Sequence, residues 1–224
     1  MSLRPRPRFV LAAAAALVAT SLTATAASAV LIEVEFTGIV PAVPADLEGG
    51  PVAAGSPVTG RFVYDTSVTN SSALAGVGNF ADAVKEFDVT LGGYSIGTTV
   101  PTLFQSRNDQ QSIPNPFDSF LVNATSGLVG DTINGFSPNR LQWGTFSTDL
   151  TRILDETVIP DIDGLFRFEP TDSYSNFNFV GFAGTQPIRW NQQTITATII
   201  PEPGTALLLG LGLAGLAGAR RSRA

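Results

Sequence analysis

The side chains that could perform chemistry are few, because the 224-residue chain contains no cysteine and no histidine. Thiolate nucleophiles, imidazole bases and the usual zinc and copper ligands are therefore absent from the sequence. Lys85 is the single lysine, and it lies in a run of alternating polar and apolar residues. That position favours a solvent-facing or strand-edge charge over the base of a Ser-Lys pair. Carboxylates remain as the candidates for catalysis.

Carboxylates are densest in the stretch ILDETVIPDIDG, which holds Asp155, Glu156, Asp161 and Asp163. Two Asp or Glu side chains about 5 to 9 Å apart are enough to hydrolyse a glycosidic bond, so the lack of histidine does not exclude a hydrolase. No spacing in the chain identifies such a pair. We therefore interpret the stretch as a solvated loop and expect no catalytic residue, with a secreted carboxylate-dependent glycoside hydrolase as the alternative.

The same stretch contains Asp161-x-Asp163-Gly164, which is similar to the middle of a calcium-binding EF-hand loop. In that alignment Ile159 occupies the position of the first ligand and Pro170 that of the bidentate glutamate. Neither side chain can bind calcium. We expect no metal and no cofactor.

The segment from residue 30 to residue 200 is strongly acidic, with 18 acidic and 7 basic side chains and hence a net charge of −11. A surface of this charge repels nucleic acid and anionic lipid, so neither is an expected partner of this segment. Its length of about 170 residues is enough for one compact domain with its own core. We assign residues 30–200 to a single ectodomain.

Alternating polar and apolar residues predict the elements of this domain. In LIEVEFTGIV, Ile32, Val34 and Phe36 face one way and the intervening residues face the other. Similar runs occur in VTGRFVYD, VKEFDVTL, FNFVGF and QTITATII. Roughly nine or ten such runs are separated by clusters of Gly, Pro, Asn and Ser. The pattern predicts an all-β fold, an antiparallel and jelly-roll-like β-sandwich.

One stretch, STDLTRILDETVIP, has helical spacing instead. Leu150, Ile153 and Leu154 follow a Thr/Asp cap and precede Pro160. This arrangement predicts a single short helix or turn.

The aromatic side chains are assigned mainly to the core, because a sandwich without disulfides needs large groups between its sheets. Trp190, beside Arg189 and the polar run NQQ, is the exception, and we expect it at a rim or an edge or in a binding role. The phenylalanines assigned to the core are Phe36, Phe62, Phe87, Phe166, Phe168 and Phe179.

The amino terminus has the three parts of a secretory signal peptide. MSLRPRPRF supplies positive charge, VLAAAAALVATSL is a short apolar core, and Ala27-Ser28-Ala29 fits an A-x-A cleavage site. We predict that residues 1–29 are removed by signal peptidase at the site formed by Ala27 and Ala29. An uncleaved anchor is the alternative, since Phe9 to Ala29 carry no charge.

The carboxyl terminus, residues 201–224, has three parts as well. Pro201, Glu202 and Pro203 form an extended segment, an uncharged run reaches from Gly204 to Ala219, and Arg220, Arg221 and Arg223 follow it. As a helix the uncharged run would extend about 24 Å, slightly less than a hydrocarbon core of ~30 Å. The arginines would hold the end in the cytoplasm as a stop for translocation. A plain single-pass anchor also fits this pattern.

The order Pro-Glu-Pro, Gly-Thr, short apolar helix and arginine cluster resembles the PEP-CTERM sorting signal of Gram-negative bacteria. The resemblance covers Ile200 to Ala224. It implies recognition at Pro201, Glu202 and Pro203 by an exosortase, a multipass transpeptidase-like membrane enzyme. It also implies removal of the helix after transient anchoring in the inner membrane, and export to the cell surface, the outer membrane or the extracellular matrix.

The body is similar, more loosely, to the β-rich ectodomains that such tails accompany, in GSPVTGRFVYDTSV and AVKEFDVTLGGYSI. Bacteria with this signal commonly make extracellular polysaccharide, which by association implies a role in biofilm or matrix. We therefore expect a non-catalytic surface or matrix protein whose body is structural, adhesive or carbohydrate-binding.

Overall fold

The computed structural model describes residues 30–110, 117–153, 155–166 and 178–201. Eleven strands lie in these ranges, together with a 3₁₀ turn at Ala45–Leu47 and one four-residue helix, α1, at Ile162–Leu165. The strands are β1 Leu31–Ile39, β2 Pro57–Asp65, β3 Val77–Leu91, β4 Tyr94–Thr98, β5 Thr102–Gln110, β6 Phe117–Ala124, β7 Leu128–Gly130, β8 Pro138–Ser147, β9 Phe179–Phe182, β10 Ile188–Arg189 and β11 Asn191–Ile200.

All strand pairs are antiparallel and belong to one continuous sheet, with the order β10-β9-β8-β6-β5-β3-β2-β1-β11. β4 pairs with β3, and β7 pairs with β4. The two end strands, β10 and β11, are separated in the chain only by Trp190. The sheet therefore curls until its ends come close, which makes it nearly barrel-like, and its two halves face each other across the core. The predicted antiparallel all-β fold is confirmed.

Aromatic rings join the two halves of the curled sheet. The ring of Phe62 on β2 lies 4.9 Å from that of Trp143 on β8, and the ring of Phe36 on β1 lies 6.0 Å from it, measured between centroids. Phe87 packs edge-on against Phe62. Phe36, Phe62 and Phe87 are buried, as their alternating positions predict. A disulfide-free fold is thus held together by burial of large apolar side chains.

Trp190 is not at a rim or an edge, contrary to the prediction from its polar neighbours. It is fully buried, and its ring stacks on Phe36 with a centroid separation of 6.1 Å and an interplanar angle of 2°. The residue joins β10 to β11, so its side chain enters the core where the ends of the sheet meet. The polarity of neighbouring residues in the sequence could not predict where the two ends of the sheet meet.

Two other core assignments also differ from the structure. Phe166 is 42% exposed and follows α1 as the cap of its last turn. Phe179 is half-buried, and the guanidinium groups of Arg140 and Arg189 lie 5.3 and 5.5 Å from its ring centroid. Phe168 lies outside the described residues.

The stretch predicted to form a short helix or turn makes turns, and the short helix forms after Pro160. Around Leu150 the chain makes turns, and α1 begins behind Asp161, whose carboxylate accepts a hydrogen bond of 2.8 Å from the N–H of Gly164. In the predicted Thr/Asp cap, Asp149 instead accepts hydrogen bonds from the N–H and the hydroxyl of Thr151 within a turn. Leu154 lies outside the described residues, and Ile153 is buried.

Candidate functional site

The sheet ends where the predicted tail begins. β11 ends at Ile200, which pairs with Leu31 at the start of β1, and Pro201 follows as an exposed residue outside the sheet. The carbonyl oxygen of Val30 accepts hydrogen bonds from the N–H and the hydroxyl of Thr66, each at 3.1 Å. The two ends of the body therefore lie side by side at one end of the β1–β11 pair.

Of the residues predicted to direct export, the structure places Pro201 alone. Glu202, Pro203, Arg220, Arg221, Arg223, Ala27 and Ala29 lie outside the described residues, and so do the predicted signal peptide and the predicted tail helix. Within the parts of the chain that the structure describes, no helix has the length and apolar character needed to cross a membrane.

The acidic loop is held by hydrogen bonds that its own carboxylates accept. Asp155 accepts from the N–H of Thr157 at 2.8 Å and from its hydroxyl at 2.5 Å. Glu156 accepts from the N–H of Gly76 at 3.1 Å and from Nδ2 of Asn108 at 2.9 Å, which ties the loop to the start of β3 and to β5. These carboxylates stabilise turns and loop contacts, in keeping with the prediction of a loop.

Hydrogen bonding to the ionised form lowers the pKa of two carboxyl groups in this loop. The pKa of Asp155 is lowered from its ordinary value by the bonds from the side chain and the N–H of Thr157. The pKa of Glu156 is lowered first by Asn108 and also by the N–H of Gly76. A general acid in glycoside hydrolysis needs the opposite shift, since it must keep its proton near neutral pH.

One cavity lies under this loop, with a volume of about 240 Å³. Asp155 and Asp161 both line it, beside apolar walls that include Phe120 and Ile159. Tyr64 joins the loop to the core, because its hydroxyl donates a buried hydrogen bond of 2.9 Å to the carbonyl of Pro160. No group of three or more acidic side chains able to hold a metal ion occurs among the described residues, here or elsewhere.

Lys85 lies at the surface, where its Nζ donates a hydrogen bond of 2.9 Å to the carbonyl of Asp82 and approaches the carboxylate of Asp65 to 3.6 Å. Both contacts suit a solvent-facing charge on a strand. They are not the surroundings of a desolvated lysine base.

A charged surface that sequence reasoning did not single out lies on the outer side of β1, β2 and β3. Its outward side chains are Glu33, Glu35, Arg61, Glu86 and Asp88, and we call this surface the acidic face. In the strand register Glu35, Arg61 and Asp88 lie directly opposite one another. The alternating pattern of each strand predicts that these residues face outward. Only the pairing register of the three strands brings them together.

Arg61 is the centre of the acidic face. Its Nη1 donates a hydrogen bond of 2.8 Å to Glu33, and its Nη2 forms an ion pair with Glu86 and lies 3.8 Å from the carboxylate of Asp88. The hydrogen bond to Glu33 raises the pKa of Arg61, and the charges of Glu86 and Asp88 add to this shift. The face remains acidic overall, since it holds four carboxylates and one guanidinium.

A shallow groove on this face, of about 270 Å³, is lined by Glu35, Arg61 and Asp88 together with Thr59 and Thr90. Its walls supply hydrogen-bond donors, acceptors and hydroxyl groups, and they leave the site open to solvent. Such a groove suits a ligand that is rich in hydroxyl groups and carries no negative charge.

An antiparallel β domain that leads directly into a Pro-Glu-Pro segment, an uncharged run and terminal arginines defines a class of protein with a carboxyl-terminal sorting signal. The family model of the PEP-CTERM protein-sorting motif matches residues 200–222, which confirms the resemblance seen in the sequence. The motif implies that the chain is targeted by an exosortase, exported and associated with the cell envelope. No curated protein and no solved structure matches the chain.

Proposed function

We propose that the chain is a cell-surface or extracellular-matrix protein whose tail is removed by exosortase and whose body is a non-catalytic, structural or adhesive domain that binds extracellular polysaccharide. The observation that carries the proposal is the position of the motif. It begins at Ile200, the last residue of the last strand, so cleavage beyond this point leaves every strand of the sheet in the released body.

The sorting part is tested by changing Pro201, Glu202 and Pro203 to Ala in the native host. The uncharged run from Gly204 to Ala219 is untouched, so membrane insertion should persist while processing stops. We expect the longer form to accumulate in the inner membrane, seen by mass and by fractionation. Changing Pro41 and Pro44 to Ala, in the loop after β1, controls for the loss of two prolines. If the triple variant were shortened and exported normally, the sorting interpretation would be wrong and the tail would be only an anchor.

The polysaccharide part rests on the acidic face. Carboxylates, a guanidinium and threonine hydroxyls can hydrogen-bond sugar hydroxyls, whereas both tryptophans are buried and cannot form an exposed stacking platform. We expect the protein to be retained by neutral polysaccharides on an array. Replacing Glu35 with Gln and Asp88 with Asn should weaken retention. The same replacements at Glu48 and Asp46, at the end of and within the 3₁₀ turn, should not. Equal retention by both variants would contradict this site.

The non-catalytic part is tested on the same polysaccharides by measuring product release. The alternative hydrolase would use the cavity under the acidic loop, where Asp155 and Asp161 both lie. Asn at both positions preserves most of the turn hydrogen bonds and removes the charges. Retention without products supports the proposal. Products that disappear in the double Asn variant would establish the hydrolase instead.

A further inference from the structure

We propose that β11 is a self-association strand, and that its open edge pairs antiparallel with β11 of a second copy of this chain. The inference goes beyond sorting and ligand binding, and it concerns copies that are not held in one bilayer. β11 pairs with β1 on one side. Among the described residues no strand and no main-chain hydrogen bond occupies its other side, and α1 contacts the strand near Ile199. In an antiparallel ladder every second residue of such an edge directs its N–H and C=O away from its neighbour.

From Thr194 to Ile200 this edge lacks the features that normally prevent strand addition. Asn191 to Ile200 contain no Pro, Lys, Arg, Asp or Glu, although edge strands are commonly protected by charges, prolines or bulges. The single irregularity is at Gln193, where the register passes from Thr37–Thr194 to Gly38–Gln192. The seven residues from Thr194 to Ile200 are regular, and their Thr and Ile side chains favour the strand conformation.

The charges around the edge indicate which strand it accepts. Glu35 and Glu33, on the neighbouring strand, lie opposite Thr196 and Thr198. An acidic strand added to β11 would lie within two strand spacings of these carboxylates and would be repelled. β11 itself is uncharged, in a body of net charge −11. A second β11 is therefore a strand that these carboxylates do not repel.

The strand is also complementary to itself. If two copies pair around an axis through Ala197, Ile195 lies opposite Ile199 and Thr196 lies opposite Thr198. Opposite residues of a pair share a face, so threonines meet on the outer side and isoleucines on the inner side. Within one molecule, the threonine hydroxyls of Thr37 and Thr194 already make such a cross-strand hydrogen bond at 2.7 Å.

Apolar surface at the end of the strand adds to the driving force. Ile199 is 60% exposed, although its partner in β1, Ile32, is fully buried. Pairing would cover Ile199 with Ile195 of the second copy. A seven-residue edge contact remains small beside the about 1,200 Å² of stable interfaces, so we expect an association that depends on concentration.

The absence of native cysteines permits a clean cross-linking test. Opposite Cα atoms in an antiparallel pair lie about 4.5 to 5.5 Å apart, within the range of a disulfide. The full chain with Ala197→Cys, solubilised in a mild detergent so that the copies need not share a bilayer, should form a disulfide-linked dimer on oxidation. Thr198→Cys alone should give severalfold less of the cross-linked dimer. In the proposed register, residue 198 of one copy lies opposite residue 196 of the other, so the two introduced cysteines lie diagonally across the axis. Ser95→Cys, on the exposed side of β4, sets the level of random collision.

A second variant separates pairing from folding. Thr196→Lys with Thr198→Lys places each lysine beside Glu35 or Glu33 within its own molecule, which favours the monomer. In the paired form the lysines of the two copies lie directly opposite, and two such like-charge pairs should lower dimer formation by roughly twofold to thirtyfold. Lysines at Thr59 and Thr90, on β2 and β3, are the matched control. A cross-link at Ala197 no stronger than at Ser95, or one unaffected by the β11 lysines, would overturn the inference.

Discussion

Two buried tyrosines provide a sharp test of how the acidic loop is attached to the core. The hydroxyl of Tyr64 donates a buried hydrogen bond of 2.9 Å to the carbonyl of Pro160, 96 positions along the chain. Tyr94 is also buried, but its hydroxyl has no hydrogen-bond partner among the described residues. The same substitution, Tyr to Phe, therefore removes a satisfied bond at one site and an unpaired polar atom at the other.

The expected magnitudes follow from this difference. Tyr64→Phe loses a net hydrogen bond and leaves the Pro160 carbonyl unpaired in a buried position, which together should lower the free energy of unfolding by about 1 to 3 kcal/mol. Tyr94→Phe leaves no partner behind, so its change should be within about 0.5 kcal/mol of zero or slightly stabilising. Neither substitution removes ring packing, because both rings keep their aromatic neighbours.

The assay is urea unfolding followed by the fluorescence of Trp143 and Trp190, both of which are buried. An unchanged denaturant slope would assign the shift in midpoint to stability alone. Equal losses in the two variants, or a larger loss at Tyr94, would refute the assignment of the Tyr64–Pro160 bond as the attachment of the loop.

Three further predictions concern local packing and titration. Gly60→Ala should destabilise the protein by about 1 to 3 kcal/mol, because a Cβ atom there would overlap the ring of Phe36 and lie 3.0 Å from a main-chain oxygen. Thermal unfolding measures this effect, and an unchanged midpoint would contradict it. Burial raises the pKa of Tyr94 to about 12, so the tyrosine loses its proton first in the unfolded state. The free energy of unfolding should therefore fall between about pH 10 and pH 12. Tyr94→Phe should flatten this decline, and identical pH profiles of the variant and the wild type would contradict the prediction. Glu156→Gln should lower stability at pH 7 by less than about 1 kcal/mol, since the site is partly solvated. Because the pKa of Glu156 is lowered in the folded state, this difference should shrink as the pH falls below the ordinary value of a glutamate and through the lowered pKa, and a difference that did not shrink on acidification would contradict the role of its charge.

The parts of the fold that follow from local alternation were predictable. Ile32, Val34 and Phe36 are buried as alternate residues of β1, and the threonines of β11 are exposed as its pattern indicates. The acidic face was not predictable, because Glu35, Arg61 and Asp88 come together through the pairing of three strands, and a pairing register depends on contacts distant in sequence. The prediction for Trp190 was wrong for a similar reason, since the burial of this side chain depends on where the sheet closes.

The tail was readable because its signal is local and needs no register. Charge, apolar length and the Pro-Glu-Pro segment occur in a fixed order within a few turns of chain, and the family model matches the same residues. The body offers no such compact signal for its ligand. A binding face on a sheet is assembled from single residues of several strands, each of which is an ordinary outward position in its own segment.

The topology also bears on when the body can fold during export. β1 pairs with β11 over nine residue positions, yet the two strands lie at opposite ends of the domain sequence. If the signal peptide leads the chain across the membrane, β1 is exported first and cannot complete its pairing until β11 has crossed. Such long-range pairing is slow to form. By then only the segment beyond Ile200 remains to be translocated, so the motif reaches the outer side of the membrane at the stage when the last strand can join the sheet. If the tail holds the chain at this point, as proposed above, the slow step has time to finish before the tail is removed and the body is released.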